Sequence, residues 1–146
     1  MKHFPFVHQL ESMDCGLTCL QMVALYYGKE INGEMIRRQF SVGKNGMSML
    51  RLYEVAEVMG FYAMGVNTSF ERLCKMPLPC IVHWRQIHYV VVYSIVGYAG
   101  EKGICIRVAD PSDGLVNYTV EEFMKGWTNA LWRNKKGIAL LLEPKF

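Results

Sequence analysis

Four residues in this chain have the types and spacing to do acyl-transfer chemistry: Gln9, Cys15, His88 and Asp110. Cys15 lies in the stretch QLESMDCGLTCLQMVALYYG, residues 9–28, between Asp14 and Gly16 and at the head of a long apolar run. A thiol in the first turn of a helix sits at the positive end of the helix dipole. That position favours the thiolate and hence nucleophilic attack. Asp14 is a good helix N-cap and would put Cys15 there. Gly16 leaves clearance for an approaching substrate backbone. Gln9, six residues upstream, comes within reach if the intervening loop folds back, and its side-chain NH₂ can donate to a developing oxyanion.

A thiolate nucleophile needs a base, and the base needs an orienting group. His88 opens a β-rich run, so scaffold rather than a mobile loop holds it. Asp110 lies 22 residues later (110 − 88), at the end of the expected returning strand. If the two strands form a hairpin, the start of one lies beside the end of the other, and His88 meets Asp110. His83 is the rival base, but it sits mid-strand without an acidic partner at the matching end. Asp113 rivals Asp110 but lies further into the turn, where it is solvated. Taken singly, each of these residues has a plainer reading. A cysteine on an apolar helix is commonly packing, which is the expectation for Cys19, Cys74, Cys80 and Cys105. His3, His8 and His83 are expected to be structural. Asp110 before Pro111 is also an ordinary turn starter.

The elements that must position these groups follow from pattern. Residues 14–27 read as a helix that is apolar on most sides and therefore central, with Gly28 as its stop. Asn32 caps a short helix through Phe40, and residues 41–47 form a loop. Ser48 opens a third helix with Leu52, Val55, Ala56 and Met59 at helical spacing, ended by Gly60. Residues 61–66 read as a short strand. Thr68 and Glu71 form a capping box for a helical turn over residues 70–75. Residues 80–84, 88–98, 104–109, 115–118 and 138–142 read as strands, with a hairpin turn at 100–103 and a strong turn signal at 110–114. Thr119 and Glu122 cap a short helix to about Lys125. Helices in the first half and an antiparallel sheet in the second make the fold class α+β.

Composition narrows the function classes. A chain of 146 residues fits one domain, here 1–146, with a single core. At 51% hydrophobic and 20% charged it is neither disordered nor fibrous. No apolar stretch is long enough to span a bilayer, and Pro5, His8 and Glu11 interrupt any secretory signal. A net charge of +3 without a basic run, zinc-finger spacing or phosphate loop gives no support for nucleic acid as a partner. Arg37-Arg38 reads as a solvated helix face, and residues 134–136 as a turn. Five cysteines at irregular spacing argue against a disulfide scaffold and suggest a reducing compartment. Nothing in the sequence calls for a metal or cofactor.

At Gln9, Asp14-Cys15-Gly16, Cys19-Leu20, HYVVV from His88 and ADPSDG around Asp110, the chain resembles the C39-type cysteine peptidases. These are papain-like domains at the N-terminus of ABC transporters that export bacteriocins and other peptides. The resemblance runs from Phe4 to about Leu142. It departs mildly at Tyr89, where Phe is common, and at Thr18, where Ala is frequent. It implies a papain-like fold with N-terminal helices packed on a C-terminal antiparallel sheet. It further implies Cys15 as nucleophile, His88 as general base and acid, and Asp110 as orienter, with Gln9 and the Cys15 backbone N–H as oxyanion donors. The implied activity is removal of a leader peptide after a Gly-Gly type motif, in the cytosol at the membrane face. The leader docks by its apolar face in a shallow groove, and the full-length protein adds membrane and nucleotide-binding domains. Two alternatives stand beside it: a peptidase-like module that binds leaders without cutting them, and another papain-like hydrolase such as an amidase, which uses the same residues.

Overall fold

In the computed structural model, residues 3–11, 13–40, 46–97, 103–128 and 135–145 are described. The elements run α1 (Cys15–Tyr26), α2 (Gly33–Gln39), α3 (Met49–Val58), β1 (Phe61–Ser69), α4 (Phe70–Leu73), β2 (Cys80–Trp84), β3 (His88–Val96), β4 (Cys105–Asp110), β5 (Gly114–Thr119), α5 (Val120–Thr128) and β6 (Lys136–Pro144). The strands form one six-stranded sheet in the order β1-β6-β2-β3-β4-β5, with every neighbouring pair antiparallel.

The sheet separates two cores. On one face Leu20, Val23, Leu52 and Val55 from α1 and α3 pack on Ile81, Val91, Ala109 and Leu140. On the other, Phe123 and Trp127 from α5, with Leu73, pack on Val82, Val90, Val92 and Ile106. Successive residues of β3 therefore enter opposite cores. That is why the HYVVV run is apolar throughout rather than alternating. Because α1 reaches the middle of one face, Cys19, Leu20, Met22, Val23 and Ala24 have no exposed surface.

Local signals explain most element ends. The α1 terminus is a Schellman motif: Lys29 N–H donates to the Ala24 carbonyl and Gly28 N–H to that of Leu25, with Gly28 at φ +77. Asn32 and Ser48 accept from the first-turn N–H groups of α2 and α3. Thr119 and Glu122 form a reciprocal capping box.

The α+β class with an antiparallel sheet is as expected, with β1 pairing along its length with β6 and α5 covering the face opposite α1. Several other expectations are corrected. The cap of α4 is Ser69, whose hydroxyl accepts from Arg72 N–H, not Thr68, whose hydroxyl is buried without a partner among the described residues. Cys74 is exposed and Cys105 half-buried, so neither is a core thiol. Lys136 opens β6 rather than lying in a turn. Most of the expected loop at 41–47, the tip of the 100–103 turn, and Asn134 lie outside the described residues. Among those described, no helix is long and apolar enough to cross a membrane.

Candidate active site

Cys15 is the first residue of α1 and is 5% exposed. Asp14 occupies the N-cap position, but its side chain caps nothing. Its main chain does the shaping instead: Asp14 N–H donates to the Glu11 carbonyl at 3.1 Å, and its own carbonyl accepts Thr18 N–H at 2.9 Å. The carboxylate, buried to 4% exposure, turns to Arg37 Nε at 3.3 Å. Gly16 does not provide clearance for a substrate. A Cβ there would meet Leu52 Cδ1 at 3.1 Å and Tyr89 Cδ2 at 3.4 Å, so its bareness lets α1 seat against α3 and β3.

His88 begins β3 after a tight turn from β2, whose Arg85 and Gln86 both have positive φ (50 and 67). Positive φ at two residues with side chains is unfavourable backbone. It is held here by the Arg85 N–H bond to the Gly126 carbonyl of α5 at 2.7 Å. Asp110 ends β4. The pairing Val91↔Ala109 sets the ends of β3 and β4 together, and His88 Nε2 lies 2.7 Å from Asp110 Oδ1. The same oxygen accepts Ser112 N–H at 3.0 Å and Ser112 Oγ–H at 2.9 Å. The Cys15 side chain is near enough to act on His88 and raise its pKa. Since Nε2 faces Asp110, Nδ1 is the ring nitrogen left for the thiol.

The electrostatics fit an imidazolium. Burial opposes a charge on His88, but the hydrogen bond to Asp110, the negative charge of that carboxylate and the nearby Cys15 side chain outweigh it, raising its pKa to about 9. Burial likewise raises the Asp110 pKa, yet the bonds from His88 and Ser112 hold its carboxyl below the usual range.

Gln9 is brought to the same place. Its backbone N–H donates to the Pro111 carbonyl at 2.9 Å, next to Asp110. Its side-chain Nε2 donates to the Glu11 carbonyl at 3.0 Å, and Oε1 is buried without a partner among the described residues. The structure therefore gathers Gln9, Cys15, His88 and Asp110 around the N-terminus of α1.

The rivals stand apart. His83 tilts against the Tyr89 ring at 5.3 Å, and burial lowers its pKa. Asp113 is exposed, as are His3 and His8. Cys19 donates from Sγ to the Tyr89 carbonyl at 3.3 Å in full burial, which pushes its thiol pKa well up. Sequence reasoning missed Ser112, Tyr89 and Arg37. Ser112 was detectable as the third residue of an Asp-Pro-Ser turn, whose N–H ordinarily returns to the Asp carboxylate. Tyr89 hydrogen-bonds the Met47 carbonyl at 2.9 Å. Arg38 is solvated as expected, at 81% side-chain exposure. Arg37 is not, since it pairs with both Glu11 and Asp14.

The architecture is shared with solved peptidase domains. A double glycine motif protease from an AMS/PCAT transporter, crystallised in complex with the leader peptide, superposes with TM-score 0.81 at 32% identity, covering 97% of this chain and 91% of that one. The peptidase domain of Streptococcus ComA, a bi-functional ABC transporter of a quorum-sensing pathway, superposes with TM-score 0.79 at 26% identity, covering 98% and 100%. Fold and family alike are those of a cysteine peptidase domain. Residues 3–137 match the peptidase C39 family, and the chain belongs to that family. Among curated relatives, the lactococcin-G-processing and transport ATP-binding protein LagD of Lactococcus lactis subsp. lactis is 33% identical over 145 residues, 95% of this chain and 19% of its own length. The colicin V secretion/processing ATP-binding protein CvaB of Escherichia coli is 29% identical over 98% of this chain and 18% of its own length. The chain thus spans under a fifth of these curated relatives.

Proposed function

We propose that this chain is a cysteine endopeptidase domain that cuts the leader from a precursor peptide after a double-glycine type motif, on behalf of an ABC transporter and at the cytosolic face of the membrane. The observation that carries the reading is the 2.7 Å contact of His88 with Asp110, beside a Cys15 side chain near enough to raise the His88 pKa. It occurs in a chain that shares its fold at 32% identity with a double glycine motif protease.

Cys15 is the nucleophile. Its thiol proton passes to His88, and the raised pKa of His88 keeps the imidazolium at neutral pH. Sulfur adds to the scissile carbonyl carbon, and the C=O electron pair moves onto oxygen. The first-turn N–H groups of a helix have no partner within it. The Cys15 N–H can therefore receive that oxyanion, with one Nε2 hydrogen of Gln9 as the second donor. His88 then gives its proton to the leaving amine, the C–N bond breaks, and an acyl-enzyme remains. Water, deprotonated by His88, hydrolyses the thioester and restores the thiol. Asp110 contributes by accepting from Nε2–H, which fixes the ring with Nδ1 toward sulfur.

The test is mass spectrometry of synthetic precursor peptides carrying double-glycine leaders after incubation with the chain, against Cys15→Ala. Cleavage after the small pair by the native chain alone is the expected result. Cleavage by the alanine variant, or none by the native chain across the panel, refutes the reading.

A further inference from the structure

The loop that carries Gln9 is braced by a single guanidinium from another helix. Arg37, in the last turn of α2, places NH2 3.2 Å from a Glu11 carboxylate oxygen and Nε 3.3 Å from one of Asp14. These two acids occupy the positions from which the site loop is hung. The Glu11 carbonyl accepts both Gln9 Nε2–H at 3.0 Å and Asp14 N–H at 3.1 Å. Asp14 directly precedes Cys15. It is buried, and its carboxylate, which could have capped α1, is drawn to Arg37 instead. The first-turn N–H groups thereby stay clear of their own cap.

We propose that Arg37 is a positioning residue for acyl transfer: by tying Glu11 to Asp14 it fixes the peptide on which the Gln9 amide rests, and so aims the oxyanion donor relative to Cys15. The inference rests on the peptidase reading and on the donor role of Gln9 within it. The two arms differ in kind. Glu11 is mostly exposed, with 68% of its side-chain surface open, so that arm adds little stability and its effect is orientation. Asp14 is 5% exposed, so its arm neutralises a buried charge. A planar fork reaches both carboxylates at once, whereas a lysine ammonium is a single point charge.

The experiment compares Gln9→Ala, Glu11→Gln, Arg37→Lys and the double variant Gln9→Ala/Glu11→Gln, with circular dichroism checking the fold. Arg37→Lys leaves Asp14 a cation, and Glu11→Gln touches only the exposed arm, so both are expected to fold. On a double-glycine precursor peptide that the native chain cleaves, each should lower kcat by about tenfold with KM within about twofold, the scale of a misplaced donor. Alkylation of Cys15 by iodoacetamide develops no oxyanion, so its rate should stay at the native value. The double variant should be no slower than Gln9→Ala alone, since both changes act through one donor. Unchanged kcat in Glu11→Gln and Arg37→Lys overturns the proposal, as does a loss of alkylation rate parallel to kcat. If Gln9→Ala itself leaves kcat unchanged, the donor role of Gln9 is what fails, and the brace loses its function with it.

Discussion

His88 and Asp110 meet at 2.7 Å across 22 residues of chain, through Nε2 of the ring and Oδ1 of the carboxylate. The contact joins the first residue of β3 to the last of β4, and Ser112 holds the accepting oxygen from the turn beyond. A proton on His88 is favoured in this setting, and the pKa stands at about 9.

The pH dependence follows with a definite sign. The folded-state pKa lies above that of free histidine. Stabilisation by the imidazolium is therefore complete below about pH 6.5 and lost as pH rises through about 9. The alkaline limb of kcat/KM should fall in the same region, where the thiolate loses its cationic partner. Asp110→Asn removes an anion that raises this pKa, so the limb should move to lower pH and kcat should drop at least tenfold. A pH–rate profile measures both, and an unmoved limb would show that Asp110 does not control the ring.

Thiol reactivity should be ordered by site. With iodoacetamide at pH 7, Cys15 should be modified first, since His88 stands beside it to take its proton. Cys74 is exposed, but partial burial of its thiol raises the pKa, so it should follow more slowly. Cys80, fully buried and pushed up to about 12, and Cys19 should remain unmodified in the folded chain. Peptide mapping after timed labelling gives the order. Cys74 reacting ahead of Cys15 would remove the case for an activated thiol.

Particular residues show why some of this was legible in the sequence and some was not. The meeting of His88 and Asp110 followed from β-rich composition and a hairpin turn at 100–103, both local signals, and hairpin geometry did the rest. Asp14 illustrates the opposite case. Its N-cap position was readable, but its side chain pairs with Arg37, 23 residues away (37 − 14), on a helix whose docking no local pattern specifies. Thr68, three residues before Glu71, is the better local cap, yet Ser69 takes that place. The choice between them depends on β1 pairing with β6 as far as Ser69↔Lys136, a contact across half the chain. Gly16 was read as clearance for substrate because the packing of Leu52 and Tyr89 onto α1 is tertiary. Cys74 was read as core because a cysteine on an apolar helix is commonly packing, but it lies just past the end of α4 and is exposed.

Gly126 tests the link between α5 and the turn before His88. A Cβ on Gly126 would run into the indole of Trp84, and the Gly126 carbonyl accepts Arg85 N–H at 2.7 Å. Gly126→Ala gains up to about 1 kcal/mol of helix propensity. The clash with a buried ring should cost more, about 1–3 kcal/mol before that gain. Urea denaturation should show a lowered midpoint with an unchanged slope. A midpoint at or above the native one would mean that α5 does not press so closely on Trp84.

Thr68 and Ser69 should respond in opposite directions, although they are neighbours and both carry a hydroxyl. Thr68 is 3% exposed, and its Oγ1 has no hydrogen-bond partner among the described residues. Thr68→Val keeps the β-branched shape and the strand preference while removing an orphaned hydroxyl. It should therefore stabilise the fold by about 1 kcal/mol. Ser69 accepts the Arg72 N–H at 3.3 Å as the cap of α4, so Ser69→Ala should destabilise it by about 1 kcal/mol. Two urea titrations decide the matter through the sign of the difference rather than its size. A loss of stability in Thr68→Val would mean that its hydroxyl has a partner, and would restore Thr68 as the capping residue that its spacing to Glu71 suggests.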